Sequence, residues 1–127
     1  MRSLPPALIA FGFLGIGGGA IAAPRVLAAN YGLPVDDPAS VAYVRALGVR
    51  DLVLGALVAT FLLSSNRAAL RATIGLSAFV GVADATVVFR VRGWSARNNL
   101  AIHALGAVAL CGTWMLLGCE DRGERNG

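Results

Sequence analysis

Four stretches of this chain, residues 4–23, 41–64, 72–89 and 98–119, are long, apolar and nearly free of charge. No other feature restricts the fold as strongly. At about 1.5 Å per residue, each stretch is long enough to cross a hydrocarbon core roughly 30 Å thick. In lipid, only helices and closed barrels satisfy every backbone donor and acceptor. The runs are too long for barrel strands and lack their apolar–polar alternation, which excludes a barrel. Composition agrees: 57% of the 127 residues are hydrophobic and 14% are charged, against about 25% charged in a soluble domain. The expectation is an all-α integral membrane four-helix bundle. Its spans fall at about 4–23, 39–64, 68–90 and 98–118 in one domain over 1–119, with a disordered polar tail over 120–127.

Two other readings of the composition are weighed and set aside. The opening "MRSLPPALIAFGFLGIGGGAIAAP" has the basic start, apolar centre and Ala-x-Ala ending of a secretory signal. Pro5 and Pro6 in the approach, Pro24 just after the candidate cleavage position, and the spanning length of the run favour a retained first helix. The net charge of +4 invites a nucleic-acid reading. The arginines sit at the ends of spans, as membrane anchors do, and are not gathered on one water-facing surface. No nucleic-acid partner is therefore expected. The chain has no lysine beside abundant Ala and Gly, a bias of GC-rich bacterial genomes, and the expected location is the bacterial inner membrane. Cys111 and Cys119 lie eight residues apart on one helix, about 12 Å along its axis, too far for a disulfide. A single histidine and no cysteine pair at ligand spacing give no metal site and no cofactor.

The polar residues are distributed unevenly by depth. With four spans, the first and third connections share one face of the membrane, side A, and both termini face side B. The first connection, "PRVLAANYGLPVDDPAS", is long for a helical hairpin, as functional loops are. Pro24 closes the first helix, Gly32-Leu33-Pro34 makes a turn, and Asp37-Pro38 reads as an N-cap followed by proline at the first helical position. Arg50 and Asp51 fall about 20 Å along the second helix, Asp84 about 10 Å from side A on the third, and His103 about 8 Å on the fourth. Every ionisable group within the spans thus lies in the side A half, and the other half carries only Arg67 and Arg71 at the start of the third helix. Each unpaired charge at mid-membrane costs on the order of 2.5–3.5 kcal/mol. Partners are therefore required. Adjacent residues on a helix point about 100° apart, so Arg50 and Asp51 are expected to pair across helices, Arg50 with Asp84 and Asp51 with His103 or Arg25.

Small residues recur along the spans: Gly48, Gly55 and Ala59; Ser77, Gly81 and Ala85; Ala107 and Cys111; and Gly12, Gly15 and Gly17–Gly19. Such stripes let helices approach closely and carry Asp51 and His103 toward one interior. Tyr31, Tyr43 and Trp94 at side A and Trp114 toward side B match an interfacial aromatic belt. The "PR" after a glycine-rich first span, the "RALGVRDLVLG" element, the lone Asp84 and the lone His103 together resemble a bacterial and fungal family. Its members are small four-span membrane proteins with a domain of unknown function, distantly similar to the DoxX-like group. The likeness runs from about Phe11 to Leu117, with Gly48, Arg50 and Asp51 as its most specific part. It implies the four-helix fold and no activity.

The residues themselves suit acid–base chemistry. Two carboxylates in different surroundings can be pushed apart in pKa, one serving as acid and the other as base. Asp51, Asp84, His103 and Arg50 are the expected catalytic set, with His103 as proton shuttle, and Arg25, Arg45, Tyr31 and Tyr43 are the expected ligand contacts. The substrate class is a lipophilic small molecule undergoing isomerisation, cyclisation or epoxide opening. Rival readings are an accessory subunit of a membrane complex and a proton-linked transporter working as a homo-oligomer. Side A connections carry Arg25, Arg90, Arg92 and Arg97, and side B carries Arg2, Arg67, Arg71, Arg122 and Arg125. The positive-inside rule then puts both termini in the cytoplasm.

Overall fold

The computed structural model describes residues 3–125, with side chains to residue 119. Five α-helices follow one another: α1 (Leu4–Ala22), α2 (Pro24–Tyr31), α3 (Pro38–Leu63), α4 (Arg67–Arg92) and α5 (Arg97–Arg125), with a 3₁₀ turn at Gly93–Ala96 before α5. The side chains of the expected polar tail, and residues 126–127 altogether, lie outside the described residues. Three stretches are long and apolar enough to cross a membrane: Leu4–Ala22, Pro38–Leu63 and Arg67–Cys119. The last is 53 residues long and contains both α4 and most of α5. Long apolar helices of this kind are those of an integral membrane protein.

Local chemistry sets each boundary. Proline in the first turn opens α1, α2 and α3, where its missing N–H removes no helical bond. Asp37 caps α3 by accepting from the Ser40 N–H at 2.9 Å. That bond, together with the Ser40 hydroxyl, holds the Asp37 carboxyl below its usual range. Asn66 caps α4 in the same way through the Ala69 N–H, at 3.1 Å. Gly93 ends α4 at φ 56°, ψ −145°, a conformation open to glycine, and the chain reverses there.

The first connection differs from the expected loop. Pro24–Tyr31 is a helix, ended by Gly32 at φ 108°. The Leu33 N–H donates to the Ala28 carbonyl at 3.0 Å and the Gly32 N–H to the Ala29 carbonyl at 3.1 Å, the pair of bonds that closes a helix on a left-handed glycine. Proline at the front and glycine just past the end mark the helix, and Pro24, Leu27, Ala28 and Tyr31 form its inward face.

The long helices pack as two antiparallel pairs. In the first, α1 and α3 meet where a Cβ on Gly17 would lie 2.6 Å from the Gly48 carbonyl, and one on Gly55 3.0 Å from the Ala10 carbonyl. In the second, α4 and α5 meet at Gly75 against Trp114 and Gly81 against Ala107. Contact between the pairs, through α3 and α4, is sparser. The buried apolar core, Ala10, Val58, Leu70, Ile74, Ala78, Leu110 and Leu117, occupies the side B half. Large apolar side chains such as Phe11, Leu76, Phe79 and Leu105 point outward, the disposition lipid favours. Among the glycines of α1, Gly12, Gly15 and Gly18 have open space before them and only Gly17 meets α3, so the expected stripe narrows to one contact point.

Candidate functional site

The polar cluster lies in the half of the bundle toward α2, where α3 faces α4 and α2 covers the gap. Asp51 is 8% exposed, on the face of α3 that also bears the buried Gly48 and Gly55. Arg50 donates from Nε to Asp51 Oδ1 at 2.9 Å, and its Nη2 lies 2.9 Å from the same oxygen. Nη2 also reaches Asp84 Oδ2 on α4 at 3.4 Å. The expectation that adjacent residues cannot pair is therefore corrected. Their Cα–Cβ bonds diverge as anticipated, yet the long arginine stem folds back and brings the guanidinium fork to the neighbouring carboxylate. The predicted Arg50–Asp84 pair is present as well, so one guanidinium serves two carboxylates.

Tyr31, the last residue of α2, adds a hydroxyl to this group. Burial pushes its phenol far above the usual range, and the negative charge of the nearby Asp84 carboxylate pushes the same way. His103 turns to α2 instead. Its Nε2 lies 2.9 Å from the Tyr31 carbonyl oxygen, and its ring stands edge-on to the Tyr31 ring with centroids 4.6 Å apart. The expected partnership of Asp51 with His103 or Arg25 does not form: His103 holds the backbone and ring of Tyr31, and Arg25 donates to the Asp36 carbonyl at 3.3 Å. Arg45 and Tyr43 are exposed on α3, Tyr43 at 75%. Of the four expected ligand contacts, the structure brings Tyr31 alone into the cluster.

Two residues not anticipated from the sequence complete the frame. The Asn99 amide donates to the Ala29 and Asn30 carbonyls at 3.3 and 2.7 Å, and Arg92 Nη1 donates to the Gly32 carbonyl at 3.1 Å. With His103 they satisfy the carbonyls that the end of any helix leaves open, and they fasten α2 to the α4–α5 turn. The signal for them was the helix itself. Once Pro24–Tyr31 is a helix, its free carbonyls require donors, and Asn99 is a polar residue in the right turn of the chain.

The electrostatics leave a surplus. Asp51 and Asp84 as carboxylates with Arg50 as a cation form a group one negative charge in excess. Access is graded: the Arg50 and Asp84 side chains are 37% and 22% exposed, that of Asp51 12%. Asp84 and Tyr31 therefore form the accessible carboxylate–phenol pair, and Asp51 stands behind the guanidinium. Among the described residues, no three His, Cys, Asp or Glu side chains converge as a metal site requires.

No curated protein and no solved structure matches the chain. A family model does match, over residues 10–117, a segment that takes in α2, α3 and α4, most of α1 and α5, and every member of the cluster. The chain belongs to the family described as domain of unknown function DUF4267.

Proposed function

We propose that this protein crosses the bilayer four times and uses its side A cluster for acid–base chemistry on a lipophilic small molecule. The carrying observation is the accessible Asp84 carboxylate, near the Tyr31 phenol and paired with a guanidinium that it shares with Asp51. In this reading Asp84 and Tyr31 exchange a proton with the substrate. Arg50 steadies developing negative charge, and Asp51 is a positioning residue that acts through Arg50. His103 positions Tyr31 rather than shuttling protons, because its bond is to a main-chain oxygen. The substrate arrives from the lipid, and the reaction is an isomerisation or cyclisation, which need only proton transfer, or an epoxide opening, which adds one water with acid–base assistance. The setting is a bacterial inner membrane with both termini in the cytoplasm.

The Arg50–Asp84 contact also favours a second reading, in which it serves only to hold the two helix pairs together. One comparison separates the two. Lipophilic extracts are profiled from source cells carrying the wild-type chain or Asp84→Asn, with the thermal midpoint of each purified protein measured alongside. The catalytic reading expects a precursor to accumulate in the variant, isomeric with its product or lighter by one water, at an unchanged midpoint. Identical extracts with a lowered midpoint would leave the structural reading standing.

A further inference from the structure

We infer that the outer face of α4 and α5 holds one acidic phospholipid, with an acyl chain in an apolar groove and the headgroup phosphate on Arg71. The groove encloses about 620 Å³ between Ala72, Gly75, Phe79 and Val82 of α4 and Cys111 and Trp114 of α5. Gly75 creates it. A Cβ there would lie 2.9 Å from the Trp114 ring, so the indole settles onto bare backbone and leaves a hollow beside it. From Ala72 to Val82 the groove runs about 15 Å at 1.5 Å per residue. That is half of a hydrocarbon core roughly 30 Å thick, the depth of a single leaflet.

The end of the groove selects the occupant. Arg71 follows the start of α4 by one turn, at the depth of the side B interface, and its guanidinium lies across the Trp114 ring at 4.8 Å from the centroid. Gly118 makes room for it: a Cβ at that position would come within 2.6 Å of Arg71 Nη2. An apolar groove one leaflet deep, with a cation stacked on the tryptophan that lines it, complements an anionic headgroup with an attached chain, and basic pockets between spanning helices bind such lipids. A second copy of the chain would meet that cation with its own side B interface, where five arginines (Arg2, Arg67, Arg71, Arg122, Arg125) outnumber three acids (Glu120, Asp121, Glu124).

The test uses the intact protein in nanodiscs containing equal amounts of phosphatidylglycerol and phosphatidylcholine with identical acyl chains. Native mass spectrometry then counts the lipids retained on release. The expected result is one phosphatidylglycerol kept in preference to phosphatidylcholine. Arg71→Gln should lower that preference about fivefold, the worth of one arginine at an anionic surface. Ala72→Phe, which fills the groove and leaves Arg71 in place, should abolish retention of both lipids. Equal retention of the two lipids by the wild type would overturn the inference, as would an undiminished preference in Arg71→Gln. So would a covalent dimer formed through Cys111 on mild oxidation of Cys119→Ser in the bilayer, because a second copy would then occupy the face. The wild-type comparison needs no variant, and the test stands whatever Arg71→Gln does to folding.

Discussion

Alanine at two glycines of α1, only two positions apart, should change stability in opposite directions. A Cβ on Gly17 would meet the Gly48 carbonyl at 2.6 Å, the Leu52 N–H nitrogen at 2.7 Å and Leu52 Cγ at 2.9 Å. Two of these three neighbours are main chain and cannot swing aside. Restoring van der Waals distance requires α1 and α3 to separate by roughly 0.8 Å, given 2.6 Å now and 3.4 Å for an ordinary contact. A gap of 0.5–1 Å forfeits about a quarter to a half of the dispersion attraction of the atoms it divides, and overpacking costs about 1–3 kcal/mol. The upper end applies, because the same seam holds Gly55 against Ala10 and Leu14. Helix propensity returns about 1 kcal/mol for replacing glycine with alanine. The net expectation for Gly17→Ala is a loss of about 2 kcal/mol. Gly15 has nothing within 4 Å of its Cβ position, so Gly15→Ala should keep only the propensity gain, about 0.5–1 kcal/mol. The two variants then differ by about 3 kcal/mol, two orders of magnitude in the ratio of folded to unfolded protein. Titrating the micellar protein with sodium dodecyl sulfate and following the far-ultraviolet circular dichroism measures both. Shifts of the same sign would refute the reasoning, because they would mean that α1 does not meet α3 along this face.

Other expectations follow from the cluster and its frame. Asp84→Asn removes the surplus charge while Arg50 keeps Asp51 at 2.9 Å, so stability should stay within about 1 kcal/mol of wild type. Asp51→Asn leaves Arg50 with only the 3.4 Å contact to Asp84 and should cost about 2 kcal/mol, less than a fully buried pair because Arg50 is partly exposed; the same detergent titration reads both. Asn99→Ala removes two bonds to α2 carbonyls, each worth about 1 kcal/mol, and hydrogen exchange of the α2 amides should quicken about tenfold or more with global stability less affected. In Tyr43→Phe, tyrosinate absorbance reports Tyr31 alone, since the chain has two tyrosines. It should fail to develop near the pH of about 10 at which free tyrosine ionises. Because the folded state holds that proton more tightly than the unfolded one, stability from this group is complete below about pH 10 and declines as pH rises above it. A normal titration in Tyr43→Phe would remove Tyr31 from the cluster.

The long helices could be read from the chain because lipid imposes one rule on every backbone group. Length and lack of charge therefore carried the information, and the residues of α1, α3, α4 and α5 fell where the apolar runs did. The grouping of Arg50, Asp51 and Asp84 was legible for a related reason: charges in spans must find one another. Three things were not legible. The helix at Pro24–Tyr31 is only two turns long; its inward positions Pro24, Leu27, Ala28 and Tyr31 make one short stripe, and Pro24 and Gly32 are its clearest marks. The Arg50–Asp51 bond depends on a side-chain rotamer, which backbone periodicity does not encode. The role of His103 depended on that helix, since a histidine is judged by what it faces, and what it faces is a carbonyl at the helix's end.

The sharing of Arg50 also bears on how the chain enters a membrane. Helices delivered one after another meet the lipid before their later partners exist, and α3 is made before α4. A lone arginine there would face a cost of about 2.5–3.5 kcal/mol on insertion scales. With Asp51 beside it, Arg50 arrives already neutralised, and the 2.9 Å bond within α3 needs nothing that is still to be synthesised. Asp84 has no such companion on its own helix near at hand; its guanidinium is waiting in the membrane when α4 arrives. The adjacent pair thus serves as a counter-ion during assembly, and the second carboxylate gives the incoming helix pair a polar reason to dock on the side of α3 that holds Arg50.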